Sequence, residues 1–329
     1  MRKFIIVLLC LLCSWNIHAF TTLSDSAHIQ LLTCTQGEQV WSKYGHSAIR
    51  VVDTPQDIDL VFNYGIFSLI ADNFYYKFIK GETYYQLGVD SYQSFNHYYS
   101  SIGRYTYWQE LNLTQTQKQQ IFDALLTNYR PENREYLYNF VFDNCATRPY
   151  YLIKDALQDS IISDYQGYKG TTFRKAISHY TGKNNWVDFG INLVFGNSAD
   201  QPMTNEQRLF LPEELMNYMA QAHLSDGTPL VKNQHIDAFP PNPVPWYANC
   251  WVGIAAFAIL MLGITLFDRR KKRLCYAVDI LLVIVYILLF ALAIFLTHFS
   301  CHPLVGYNWR LLLFPLIHIC ARLVYFVRR

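Results

Sequence analysis

Gly45-His46-Ser47-Ala48-Ile49-Arg50-Val51-Val52 is the stretch on which the fold turns. Small residues surround the histidine, and the β-branched Ile49, Val51 and Val52 that follow favour a pleated strand. A strand carrying His46 is therefore expected. A second stretch, Phe142-Asp143-Asn144-Cys145-Ala146-Thr147-Arg148, joins residues 138–142, which read as a strand, to residues 150–157, whose apolar positions have helical spacing. Asp143 or Asn144 is placed to cap that helix, which puts Cys145 in its first turn. Free N–H groups and the positive end of the helix dipole favour a thiolate there, and the amides around Cys145 and Ala146 are placed to hold an oxyanion. A thiol and an imidazole so positioned make a nucleophile and its base.

Working outward, residues 29–33, 45–52 and 60–64 read as strands, with a turn over 53–59. Residues 71–80 read as a helix ending at Gly81, and 104–111 as a strand. Thr114 opens a capping box with Gln117 for a helix to residue 128. Helical stretches follow at 173–180 and 205–222, with a short aromatic segment at 186–195. Residues 233–245, with Pro240, Pro241 and Pro243, read as a linker. The fold class is α+β. A turn centred near residue 54 or 55 sets His46 opposite Asn63 or Tyr64, within the roughly 5 Å of a cross-strand pair, so an amide or a phenol orients the imidazole. A slip of one residue exchanges the two, and both stay open.

The chain begins Met1-Arg2-Lys3, runs apolar from residue 4 to 12 and reaches the small residue Ala19, the pattern of a secretory signal over 1–19. Residues 20–240 form the exported domain, and 241–329 the linker and membrane region. Residues 250–267 carry no charge and follow Trp246 and Tyr247, an interfacial pair; the basic cluster over 269–273 marks the cytoplasmic side. Three transmembrane helices are expected, at about 247–267, 274–295 and 311–327. This topology makes a multi-pass protein of the inner membrane, its domain facing the periplasm. Asp279 and Arg322 read as an ion pair or as snorkelling side chains near the cytoplasmic boundary, and His318 as a hydrogen-bonding residue between helices.

In the exported domain only Cys34 and Cys145 remain, and an oxidising compartment offers a structural disulfide between them as the alternative to a catalytic thiol. Cys250 and Cys301, both near the outer boundary, make a second possible pair. A formal charge of +2 gives no case for nucleic acid. His97, His179, His223 and His235 lack ligand spacing, so neither a metal nor another cofactor is expected.

The strand ending in Thr33-Cys34, the segments Ser42-Lys43-Tyr44-Gly45-His46-Ser47-Ala48-Ile49-Arg50-Val51, Asn63-Tyr64-Gly65-Ile66-Phe67 and Phe142-Asp143-Asn144-Cys145-Ala146-Thr147-Arg148, and the apolar C-terminal part resemble the Bacteroidota lipoprotein N-acyltransferase family, Lnb. The resemblance implies a circularly permuted papain-like domain, with its histidine strand ahead of its cysteine helix, followed by membrane helices. It implies that Cys145, activated by His46, takes an acyl chain from a phospholipid as a thioester and passes it to the N-terminal amine of a diacylglyceryl-cysteine lipoprotein; of the two cross-strand candidates, Asn63 is the one carried forward as the orienting residue. Lys43, Arg50, Arg104 and above all Arg148 become candidates for head-group contacts, with Tyr64 beside them as a substrate-binding residue. Residues 74–76 and 98–99, rich in Phe and Tyr, suit an acyl groove, the membrane or the core. A permuted cysteine peptidase or amidase acting on cell-wall peptides keeps the same pair. A non-enzymatic membrane-anchored assembly protein makes Cys145 structural.

Overall fold

The hairpin that carries His46 is held by its register. In the computed structural model, which describes residues 22–158, 161–168, 170–236, 245–271, 276–306 and 308, β1 (His28–Cys34), β2 (His46–Asp53) and β3 (Ile58–Ile66) are antiparallel neighbours. A short helical turn, Thr54–Gln56, followed by Asp57 in the left-handed region at φ 55°, joins β2 to β3. Its geometry sets Ile49 opposite Phe62 and Asp53 opposite Ile58. These three strands lie inside a seven-stranded sheet with β4 (Tyr84–Ser91), β5 (Thr106–Leu111), β6 (Glu135–Leu137) and β9 (Val231–His235), in the order β6-β4-β3-β2-β1-β5-β9. A two-stranded ribbon pairs β7 (Ile162–Ser163) with β8 (Ala222–His223).

Each face of the sheet buries alternate side chains, as the strand period requires. One face sends Ile29, Leu31, Ile49, Val51, Phe62 and Tyr64 into the main core, under helices α3 (Gln115–Tyr129) and α4 (Thr147–Ala156). The opposite face packs Leu32, Cys34, Ala48 and Val61 against Phe95 and Tyr99 of α2 (Tyr92–Ser101). A separate cluster joins Tyr44, Phe173, Tyr180 and Phe210 to Leu304, and engages α5 (Phe173–Thr181) and α6 (Trp186–Val194). The capping box forms as read, with Thr114 accepting from Gln117 N and Gln117 reaching back to Thr114 N.

Other readings are corrected. Residues 138–142 are not a strand: the Asn139 side chain accepts from the amides of Val141 and Phe142, and an Asn139–Asp143 bridge closes the loop as a turn. α1 is shorter than expected, Phe74–Lys80, though Gly81 ends it at φ 75°. Within 205–222 the α-helix is only α7 (Pro212–Ala220), preceded by a helical turn over Gln207–Phe210. Residues 233–235, read as linker, pair with β5.

Two helices follow, α8 (Cys250–Lys271), apolar over Cys250–Ile264, and α9 (Tyr276–Phe299), of which residues Ile280–Phe299 are, among the described residues, the stretch long and apolar enough to cross a membrane. Hydrogen bonds tie their outer ends to the domain. Asn184 accepts from the Cys250 amide (2.6 Å) and the Trp251 indole (3.1 Å), Lys80 O from Cys301 N (2.6 Å), and Leu304 O from Gly196 N (2.9 Å). The expected signal over 1–19, the proline-rich part of the linker, the third span with His318 and Arg322, and the Asp279 side chain lie outside the described residues.

Candidate active site

His46 opens β2 behind Gly45, whose φ of 82° and 2.9 Å approach of its β position to Cys34 O leave room for no side chain. Continued from its last matched pair, the β2–β3 register brings His46 level with Gly65, not with Asn63 or Tyr64 as expected. Asn63 then lies diagonally across on the same face, and its Oδ1 stands 2.5 Å from His46 Nε2. Tyr64 points the other way, into the core, where its hydroxyl accepts from Asn128 Nδ2 at 2.8 Å. Because an amide oxygen only accepts, Nε2 carries the proton and Nδ1 is left as the base. The ring stacks on Tyr99, centroids 6.0 Å apart.

Cys145 stands at the head of α4, and the cap is Asn144. Its Oδ1 accepts from Ala146 N (2.8 Å) and Thr147 N (2.9 Å), while its Nδ2 donates to Phe140 O (2.7 Å) and Phe210 O (2.9 Å). One buried side chain thus fixes the turn of Cys145 on both sides. The cap also uses the Ala146 amide that was expected to serve an oxyanion. The backbone N–H groups of Ser47, next to the histidine, and of Cys145 itself pull the thiol toward the charged form.

Gly65 brings the pair together. A β-carbon built on it would lie 3.5 Å from Cys145 Cβ and 3.9 Å from His46 Cε1, and its φ is 93°. The β3–β4 pairing shifts register across this point, between Asn63 and Ile66. The bare backbone leaves both groups facing the same space.

Burial pushes the Cys145 thiol up to about 11, against the lowering pull of the Ser47 amide and of Arg104. Burial likewise pushes His46 down to about 4, although its bond to Asn63 works the other way. These shifts run against the expected thiolate: at the half-buried Cys145 and His46, desolvation raises the thiol and lowers the imidazole, opposing the helix terminus.

The pair opens into a cavity of about 850 Å³ whose wall includes His46, Asn63, Gly65 and Cys145, with the rings of Trp41, Phe67, Tyr85, Tyr98, Tyr99 and Tyr138. That volume suits a ligand of some tens of atoms. Arg104 is on this wall and buried; its Nε donates to Thr35 O at 2.6 Å, its guanidinium lies 4.7 Å from the Tyr99 ring centre, and Nη2 finds no partner among the described residues. Arg104 stood level with Lys43 and Arg50 in the sequence. Nothing there signalled that Tyr99 would seat it beside the histidine.

Three expected site residues, Cys145, His46 and Asn63, converge on the cavity; Tyr64, Lys43 and Arg148 are not on its wall. Arg148 donates to both carboxylate oxygens of Asp143 (2.5 and 2.8 Å) and lies 3.5 Å over Tyr136. Cys34 and Cys145 are both free, which overturns the disulfide alternative, and Cys250 and Cys301 are free as well. Among the described residues no group of His, Cys, Asp and Glu side chains is arranged to hold a metal ion.

Residues 18–175 match the model of the Lnb N-terminal periplasmic domain, and residues 247–329 that of the Lnb transmembrane domain. No curated protein and no solved structure matches the chain.

Proposed function

The chain belongs to the Lnb family, as a membrane protein with a periplasmic domain, and from that premise we propose that it is a lipoprotein N-acyltransferase. The observation that carries the reading is the meeting of Cys145 and His46 across Gly65 in a cavity walled by aromatic rings. Aromatic walls suit an acyl chain, and a thiol with an adjacent imidazole suits its transfer. The histidine strand ahead of the cysteine helix is the order of a permuted papain-like domain. A multi-pass anchor in the inner membrane keeps both lipid substrates near the cavity.

In the first step His46 Nδ1 takes the thiol proton as the sulfur attacks the ester carbonyl of a phospholipid. With the thiol raised and the imidazole lowered, this transfer accompanies the attack. The carbon–oxygen bond to glycerol breaks, the histidine returns the proton to the leaving alkoxide, and a lysophospholipid departs from a thioester on Cys145. The α-amine of a diacylglyceryl-cysteine then attacks the thioester, giving its proton to His46; the carbon–sulfur bond breaks and the thiol re-forms. Asn63 holds the ring in the productive tautomer. Arg104, rather than Arg148, Lys43 or Tyr64, has the position to stabilise negative charge near the sulfur.

Mass spectrometry of lipoprotein N-terminal peptides tests this in cells carrying the wild type or Cys145→Ala. Triacylated cysteine with the wild type alone supports the reaction and the nucleophile. Equal conversion by the variant refutes Cys145. No conversion by either protein, with both expressed and inserted, favours the peptidase or the non-enzymatic alternative.

A further inference from the structure

The segment around α1 exposes more apolar surface than folding explains. Ile70 is 94% exposed, Tyr75 69% and Tyr76 57%, with Leu69, Phe78 and Ile79 also exposed beside them. Contiguous exposed apolar surface of this kind marks an interaction site. Its partner is indicated by what α1 is tied to. Cys301 N donates to Lys80 O at 2.6 Å, Ser300 Oγ to Ile79 O at 3.0 Å, and the His302 ring nitrogen Nε2 to Phe78 O at 2.6 Å. These three residues directly follow α9, whose apolar stretch ends at Phe299. A spanning helix of that length ends at the edge of the hydrocarbon layer, so the carbonyls of residues 78–80 stand at the same height.

We propose that α1 and the loop before it lie in the periplasmic leaflet of the bilayer, with Ile70, Tyr75 and Tyr76 among lipids. Tyrosine suits this depth, having an apolar ring and a polar tip, and Lys77 in the last turn of α1 suits the phosphate layer. The same segment leads to the cavity. Phe74 stacks on Phe67 (5.7 Å), and Phe67 stacks on Tyr85 (4.8 Å), and both Phe67 and Tyr85 are on the cavity wall. A chain leaving the leaflet beside α1 meets a continuous row of rings on its way to Cys145. The immersion of α1 rests on α9 crossing the membrane and stands apart from the acyl-transfer chemistry.

The test places a photo-crosslinking benzophenone amino acid at position 70 or 75 of the full chain in phosphatidylethanolamine and phosphatidylglycerol nanodiscs. A control goes at position 56, at the far end of the β2–β3 hairpin. All three positions are exposed, so folding is not at stake. After irradiation, mass spectrometry of the modified peptides should find phospholipid adducts at 70 and 75, with position 56 at background. Adducts at 70 and 75 no more frequent than at 56, or crosslinks there to protein alone, would overturn the proposal. Because the readout needs no turnover, it separates this inference from the proposed reaction.

Discussion

The resting charge of Cys145 has a direct measure in the pH dependence of its alkylation. With its thiol at about 11, roughly one molecule in a thousand is thiolate at pH 8, against about a quarter for an ordinary cysteine of pKa near 8.5. A more basic thiolate is intrinsically more nucleophilic, by about tenfold over such an interval, so labelling at pH 8 should be about twentyfold slower than for a free thiol. The rate should climb about tenfold per pH unit from 7 to 10, the slope of a thiol far below its midpoint. His46→Ala should leave that slope in place, because a histidine already neutral above about 4 removes no charge when it is lost. The assay exposes the detergent-solubilised protein to iodoacetamide at each pH, quenches with thiol, and quantifies the peptide containing residue 145 by mass spectrometry. A rate that is fast and flat between pH 6 and 9, and that collapses in His46→Ala, would mean a preformed thiolate–imidazolium pair. The burial argument would then be wrong.

Three further outcomes follow from the site's geometry. Asn144→Asp keeps the acceptor for the Ala146 and Thr147 amides but sets a carboxylate oxygen against the carbonyls of Phe140 and Phe210; it should cost about 2–4 kcal/mol. In thermal unfolding that is a fall of about 5–10 °C, and an unchanged Tm removes Asn144 as the cap. Asn63→Ala should lower kcat about a hundredfold with KM little changed, since it misorients the base without touching the cavity's aromatic wall. Asn63→Asp, which keeps an acceptor, should recover much of the rate and move the acidic limb of the pH profile upward; wild-type kcat in Asn63→Ala refutes the orienting role. Gly65→Ala forces a side chain into φ 93° beside Cys145 and His46, at a cost of about 1–3 kcal/mol. Wild-type stability and iodoacetamide reactivity at Cys145 in that variant would show that the close approach at residue 65 is not needed.

Local chemistry made some parts of the fold legible and hid others. His46 on a strand, Cys145 at a helix head and the Thr114–Gln117 box were readable because each depends on neighbours within a few residues. β4 was hidden by Gly88 and its mixture of polar and aromatic residues. Its neighbour is non-local: Ile66 Cδ1 on the adjacent strand fills the space a β-carbon would take, 2.2 Å away. The strand expected over 138–142 failed because Asn139 supplies its own acceptor to the next two amides. The choice between Asn63 and Tyr64 waited on the turn, whose left-handed Asp57 shifts the register beyond either expected pairing. Charge at Cys145 was only half legible, because a helix terminus is visible in sequence, whereas the desolvation that opposes it is a tertiary property.

For the proposed acyl transfer, the hydrogen bonds between the domain and the near ends of α8 and α9 bear on which amines the site would use. A catalytic domain on a loose tether samples every group within the tether's reach. A domain held by Asn184 at one helix and by Lys80 at the loop after the other keeps Cys145 at one height above the lipid. Selection then becomes a matter of altitude. The amine of a lipidated N-terminal cysteine sits on the same residue as its anchor and is presented at a fixed, shallow level. A lysine amine farther along an exported chain has no such constraint and is seldom at that level. For the proposed acyl transfer, this architecture discriminates between amines of similar chemistry by where the membrane holds them.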